Sequence, residues 1–131
     1  MKEILESLKN VREAPDILIA VGRGGIIPAA IVAKQLELDM AIIWIRQYND
    51  EMPPKRIYDA PKLTKPFDAD VSGKRVLIVD DISRSGKTLD AAKSEILKHG
   101  AKEVKTLVFV GRGADIVLFQ TDACAEFPWQ D

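Results

Sequence analysis

The chain has 131 residues, 47% apolar and 30% charged, which fits one ordinary globular domain covering 1–131 and argues against a fibrous or low-complexity protein. Its 19 basic and 20 acidic side chains leave a formal charge of -1, so nothing in the charge balance calls for a nucleic-acid or membrane partner. The single cysteine, Cys124, excludes an internal disulfide, no Cys and His spacing suits zinc, and no run approaches the roughly 18 apolar residues of a membrane span. Charges interrupt the apolar positions of residues 1–15, unlike a secretion leader, so a cytoplasmic protein is expected.

Ile4, Leu5, Leu8 and Val11 recur at helical spacing and stop before Pro15, which predicts a short amphipathic helix. Residues 16–21 (DILIAV) read as a buried strand, closed by Gly22-Arg23-Gly24-Gly25, and residues 26–38 as an Ala-rich packed helix. A second strand follows at 40–45. Residues 49–73 hold four prolines and many charges without periodicity, a length of mobile loop that points to a functional lid or a disordered segment, with a merely floppy insertion as the alternative. A third strand at 76–79 leads through Asp80-Asp81-Ile82-Ser83-Arg84-Ser85-Gly86-Lys87-Thr88 into a helix over 86–98 closed by Gly100. Strands at 104–110 and 116–119 complete an alternation that implies a mainly parallel α/β sheet covered on both faces.

In such sheets ligands bind beyond the carboxyl ends of the strands, where loops enter helix N-termini. In the first loop three of four residues lack a Cβ, so bare amides can approach an anion, and Arg23 adds a permanent charge; a pyrophosphate suits it. The second loop joins paired carboxylates to small hydroxyl residues, a glycine and a lysine. A ribose phosphate reconciles these groups. Asp80 and Asp81 accept hydrogen bonds from a vicinal diol and share a divalent cation, while Ser85, Thr88 and the loop amides take the phosphate. Carboxylates beside the sugar also stabilise positive charge developing at the anomeric carbon.

Two familiar nucleotide motifs fail on these residues. A Walker A loop needs a glycine where Asp81 stands, and a dinucleotide fingerprint needs one where Ile27 stands.

Val76-Leu77-Ile78-Val79-Asp80-Asp81 through Thr88-Leu89 resembles the 5-phosphoribosyl pyrophosphate (PRPP) signature of the type I phosphoribosyltransferases. Residues 21–29 are similar to the pyrophosphate loop of the xanthine-guanine and small archaeal-type purine enzymes, and Phe127-Pro128-Trp129 is like their ending. The resemblance implies a five-stranded parallel core, a lid between 49 and 70, a small C-terminal hood and a homodimer. It implies a transferase that attaches a nitrogenous base, purine-like, to C1 of PRPP with loss of pyrophosphate and with Mg²⁺ as cofactor. Carried over residue by residue, it makes Asp80, Asp81 and Arg23 catalytic and gives the metal to Asp80 and Asp81. Arg23, Gly24 and Gly25 take pyrophosphate, and Ser83, Arg84, Ser85, Gly86, Lys87 and Thr88 surround the 5-phosphate. Ile82, Val110 and Trp129 face the base. A non-proline cis peptide is expected at Arg23-Gly24.

The acceptor side departs from the 6-oxopurine pattern. Arg84 replaces the aspartate that handles the N7 proton, Val110 the lysine on the 6-oxo group, and Cys124 the stacking aromatic. A guanidinium is no base near neutral pH, so the pattern also admits a regulatory protein that binds PRPP or a nucleotide without turnover. Trp44 and Tyr48 are read as core or interface aromatics, and His99, at a helix end, is given no chemistry.

Overall fold

The computed structural model describes residues 14–47, 55 and 60–119. The expected N-terminal helix, Tyr48, Cys124, Trp129 and the C-terminal hood lie outside the described residues, as does most of the lid before residue 60.

Strand β1 (Ile17–Gly22) runs ILIAVG and is buried through Val21. Helix α1 (Ile26–Leu36) starts at the end of the glycine loop and stops at Glu37, a left-handed residue with φ 55°, two residues sooner than periodicity alone suggested. Strand β2 (Asp39–Arg46) follows. Strand β4 (Arg75–Ser83) is longer than the apolar run that announced it, because its hydrogen-bond ladder continues through Asp80 and Asp81 to Ser83. Helix α2 (Lys87–Lys98), strand β5 (Glu103–Gly111) and strand β6 (Ile116–Phe119) stand where the pattern put them.

With β3 spanning Lys62–Leu63, the sheet has the order β3-β2-β1-β4-β5-β6. All neighbours are parallel except β3 (Lys62–Leu63), which returns antiparallel on β2 through Ile45↔Leu63 and Arg46↔Lys62. The five parallel strands are therefore joined by a sixth. Two residues carry no readable period, so this edge strand is invisible in the sequence.

Alternation along the central strands divides the core. Leu18, Ala20, Leu77, Val79, Leu107 and Phe109 pack with Ala29, Val32 and Ala33 of α1. Ile17, Ile19, Val21, Val76, Ile78 and Val108 face the other way, onto Leu89, Ala92 and Ile96 of α2. Burying each such aliphatic side chain contributes about 1.5–3 kcal/mol before entropy is counted, so the central strands read as unbroken apolar runs.

From β1 the chain crosses outward to β2, whereas β4 pairs on the opposite side of β1. The boundary between β1 and β4 is thus the switch point of an open sheet, and their carboxyl ends border a crevice.

Strand β6 is parallel to β5 although only residues 112–115 separate them. Parallel neighbours normally need a long crossover. Here Gly111 and Gly113, at φ 128° and 81°, reverse the chain. Asp115 then anchors it: its Oδ2 accepts from Thr106 N at 2.9 Å and Thr106 Oγ1 at 3.2 Å, and its own N–H donates to Thr106 Oγ1 at 2.9 Å.

Candidate functional site

Both loops singled out in the sequence lie at the switch point and touch. A Cβ at Gly24 would stand 2.8 Å from each oxygen of the Asp81 carboxylate, so only glycine lets the first loop rest on it. One at Gly25 would stand 2.6 Å from Val79 O and 3.0 Å from Asp80 Cα, placing the start of α1 against the backbone of β4. Gly25 N–H donates to Val21 O at 2.8 Å, which closes the turn. The non-proline cis bond is Gly22–Arg23, one residue before the expected Arg23-Gly24 position, where β1 hands over to the loop.

Asp80 is buried, at 8% exposure, while Asp81 is half-buried. Loss of hydration, reinforced by the neighbouring Asp81 charge, raises the Asp80 carboxyl well above the usual carboxylate range, opposed by the Asp81 N–H that donates to Asp80 Oδ1 at 2.8 Å. Asp81 Oδ1 in turn accepts Ile82 N–H at 2.7 Å. Each carboxylate is thereby locked by the next residue's amide.

Helix α1 begins on Gly25 and α2 on Gly86, and neither start has a side-chain cap. Their first-turn N–H groups therefore keep the polarity that draws an anion. Gly86 sits at φ 82°. Ser83 is buried at the end of β4, Arg84, Ser85 and Lys87 are exposed, and Thr88 is half-buried in the first turn of α2. Lys87 N–H makes a long contact of 3.4 Å to Ser85 Oγ. Arg23 is exposed beside Gly24. Ile82 and Val110, both expected at the base, are register partners on β4 and β5.

Two features escaped the sequence reading. The ring of Trp44 lies against Gly22, its Cε3 2.7 Å from where a Cβ would be, and Lys65 Nζ stands 4.5 Å from the ring centroid. Gly111-Arg112-Gly113 is the second. Arg112 N–H donates to Ser83 O at 2.9 Å, and a Cβ at Gly113 would stand 2.7 Å from Gly86 Cα. The signal was present: Val-Gly-Arg-Gly occurs at 21–24 and again at 110–113.

Helices that open on glycine at a switch point, with carboxylates between them where a Walker loop would carry glycine, suit a phosphorylated sugar and define an α/β domain of that class. The family model of the phosphoribosyl transferase domain matches residues 1–125, and the chain belongs to that family.

Purine phosphoribosyltransferase from Pyrococcus horikoshii superposes with a TM-score of 0.78 at 33% identity, covering 99% of this chain and 87% of that one. A hypoxanthine-guanine phosphoribosyltransferase from Bacillus anthracis gives 0.69 at 26% identity, covering 92% and 73%. Among curated relatives, the transcriptional regulator GfcR of Methanococcoides burtonii is 30% identical over 87% of this chain and 54% of its own length. Orotate phosphoribosyltransferase of Saccharolobus solfataricus is 30% identical over 82% and 50%. The chain thus spans about half the length of these two relatives. In the described residues no helix is long and apolar enough to cross a membrane.

Proposed function

We propose that the protein is a phosphoribosyltransferase, moving the 5-phosphoribosyl group of PRPP onto a nitrogenous base and releasing pyrophosphate. The observation that carries this reading is the contact between Gly24 and the Asp81 carboxylate, which joins an anion-binding loop to a sugar-binding acidic pair within one crevice.

The loop of Arg23, Gly24 and Gly25 receives pyrophosphate, the leaving group, through the Arg23 guanidinium and the Gly24 amide, while the Gly25 N–H holds the turn on Val21 O. Asp80 and Asp81 accept hydrogen bonds from the ribose hydroxyls. Loop 83–88 and the start of α2 hold the 5-phosphate. With both ends of PRPP held, a base nitrogen forms its bond to C1 as the bond from C1 to the pyrophosphate oxygen breaks, the electron pair leaving with pyrophosphate and the proton of the base nitrogen passing to solvent. Positive charge that grows on the sugar is stabilised by the acidic pair, and positioning supplies much of the remaining rate.

The acidic pair also fits Mg²⁺. Adjacent carboxylates, one of them buried, are hard oxygen donors whose mutual repulsion a divalent cation offsets. No cluster of three metal-binding side chains occurs among the described residues, so the ligand's oxygens and water would complete the shell. When bound, the ion would neutralise charge on pyrophosphate and sugar oxygens. We place this activity in the cytoplasm, in a homodimer, with a purine-like base as the first acceptor to try.

The experiment is Mg²⁺-dependent pyrophosphate release from PRPP over a panel of purine, pyrimidine and carboxylated bases, with a blank lacking base. Release stimulated by one base is expected. A second reading, a regulator that binds PRPP or a nucleotide without turnover, draws on Arg84 and Val110 at the acceptor side and on the kinship with a transcriptional regulator. PRPP binding with no release above the blank would favour it.

A further inference from the structure

We propose that Gly113, together with Gly111, is a positioning residue for the 5-phosphate loop: the turn after β5 holds that loop in the shape that receives the phosphate. The inference rests on the phosphoribosyltransferase reading for the loop's ligand and adds what sets the loop's shape.

Residues 83–88 do little to hold themselves. Arg84, Ser85 and Lys87 are exposed, Gly86 sits at φ 82°, α2 starts without a side-chain cap, and Lys87 N–H reaches Ser85 Oγ only at 3.4 Å. A loop that ends on a left-handed glycine loses much backbone freedom when it orders. Support from a neighbouring segment shifts that cost from binding to folding.

The turn after β5 is that neighbour. Gly111 is the register partner of Ser83, Arg112 N–H donates to Ser83 O at 2.9 Å, and Gly113 meets Gly86. The fit is backbone on backbone. A Cβ at Gly111 would overlap Ser83 O, one at Gly113 would stand 2.7 Å from Gly86 Cα and 3.1 Å from Gly86 N, and one at Gly86 would stand 3.1 Å from Gly113 Cα. Gly111 and Gly113 lie at φ 128° and 81°, so a side chain at either is strained as well as crowded. The turn is itself tied down, because Asp115 Oδ2 accepts from both N–H and Oγ1 of buried Thr106. Rigidity thus passes from the sheet through the turn to residues 83–86.

The second Val-Gly-Arg-Gly segment thereby gains a role. The first copy sets Gly24 on Asp81 and the second sets Gly113 on Gly86, so the end of β4 and its loop are clasped from the β1 side and the β5 side.

The test separates the two ends of PRPP. Calorimetry on the full chain with Mg²⁺ measures ribose 5-phosphate, pyrophosphate and PRPP individually. Gly113→Ala should weaken ribose 5-phosphate and PRPP about 10- to 100-fold, the equivalent of an ordinary overpacking cost. Pyrophosphate, held by a different loop, should stay within about twofold. Gly73→Ala is the control, since Gly73 lies at φ 70° with no atom within 4 Å of its Cβ position and the variant carries left-handed strain without the contact. It should lower Tm and leave all three affinities unchanged. Should Gly113→Ala not fold, amide exchange on the wild type decides. Ribose 5-phosphate should slow exchange at Arg112, whose N–H is released when its bond to Ser83 O breaks, and pyrophosphate should not.

Unchanged ribose 5-phosphate affinity in Gly113→Ala, an equal loss for pyrophosphate, or the same loss in Gly73→Ala would overturn the positioning role alone. So would Arg112 exchange indifferent to ribose 5-phosphate. A wild type that binds neither PRPP nor ribose 5-phosphate would overturn the transferase reading with it.

Discussion

The indole of Trp44 occupies the space that a side chain at Gly22 would require, with Cε3 and Cζ3 2.7 and 2.9 Å from the Cβ position. Strand β2 therefore supports the start of the Gly22-Arg23-Gly24-Gly25 loop, and Trp44 is linked outward through Thr64 N–H, which donates to Trp44 O at 2.8 Å, and through Lys65.

From this contact Gly22→Ala should displace the indole and cost about 1–3 kcal/mol, the usual range for overpacking. PRPP affinity should fall with it. A Gly22→Ala/Trp44→Leu double variant should recover part of the loss, because the smaller side chain frees the volume. Urea unfolding of the two single variants and the double variant measures the coupling, and strictly additive losses would show that the contact does not link the two residues.

Gly24 and Asp81 form the second testable pair. Asp81→Asn keeps the Oδ1 acceptor for Ile82 N–H but removes the charge, and PRPP binding should weaken by about 1.5–3 kcal/mol. Gly24→Ala should weaken it as well, since its Cβ would meet both carboxylate oxygens at 2.8 Å. Titration with PRPP in the presence of Mg²⁺ checks both, and unchanged affinity in Asp81→Asn would remove the ribose assignment.

Asp80 opposes stability in the unliganded protein. Its folded carboxyl is raised above its unfolded value, chiefly by burial and then by Asp81, so its contribution is complete below the unfolded value and is lost as pH rises through the folded one. Near neutral pH Asp80→Asn should raise Tm by about 3–6 °C, corresponding to roughly 1 kcal/mol, and flatten the decline of stability with rising pH. Ligand should reverse the ranking. PRPP with Mg²⁺ at a hundred times Kd should stabilise the wild type by about 2.7 kcal/mol and the variant much less. Thermal scans across pH, with and without ligand, would contradict this if the unliganded variant proved the less stable at neutral pH.

The Thr106–Asp115 link holds the short return to β6. Thr106→Val removes a hydroxyl that both donates to Asp115 Oδ2 and accepts its N–H, at 3.2 and 2.9 Å, and should cost about 1–2 kcal/mol in urea unfolding. Amide exchange should quicken in β6 before it does in β1 or β4, which lie inside the sheet. Uniform loss of protection across the sheet would argue that the link is not local to this edge.

The parallel core and the two main loops were legible because apolar runs ending in Gly22-Arg23-Gly24-Gly25 and Asp80-Asp81 carry both the strand signal and its functional end. Boundaries drifted where hydrogen bonding outran hydrophobicity: β4 extends through two acids, and α1 stops at a left-handed Glu37 that no propensity marks. Strand β3 was hidden because two residues have no period, and its pairing depends on where β2 happens to end. The Gly111-Arg112-Gly113 segment was readable as a repeat of residues 22–24, yet its meaning required knowing that β5 lies beside β4.

By itself, then, the sequence determined the alternation of strand and helix, the residues able to approach phosphate without a Cβ, and the acidic pair, since each follows from local chemistry and spacing. Only the tertiary structure decided which of these meet. Gly24 rests on Asp81, Trp44 on Gly22 and Gly113 on Gly86 because the strand order sets β2, β1, β4 and β5 side by side, and contacts between residues so far apart in the chain are written in no local pattern.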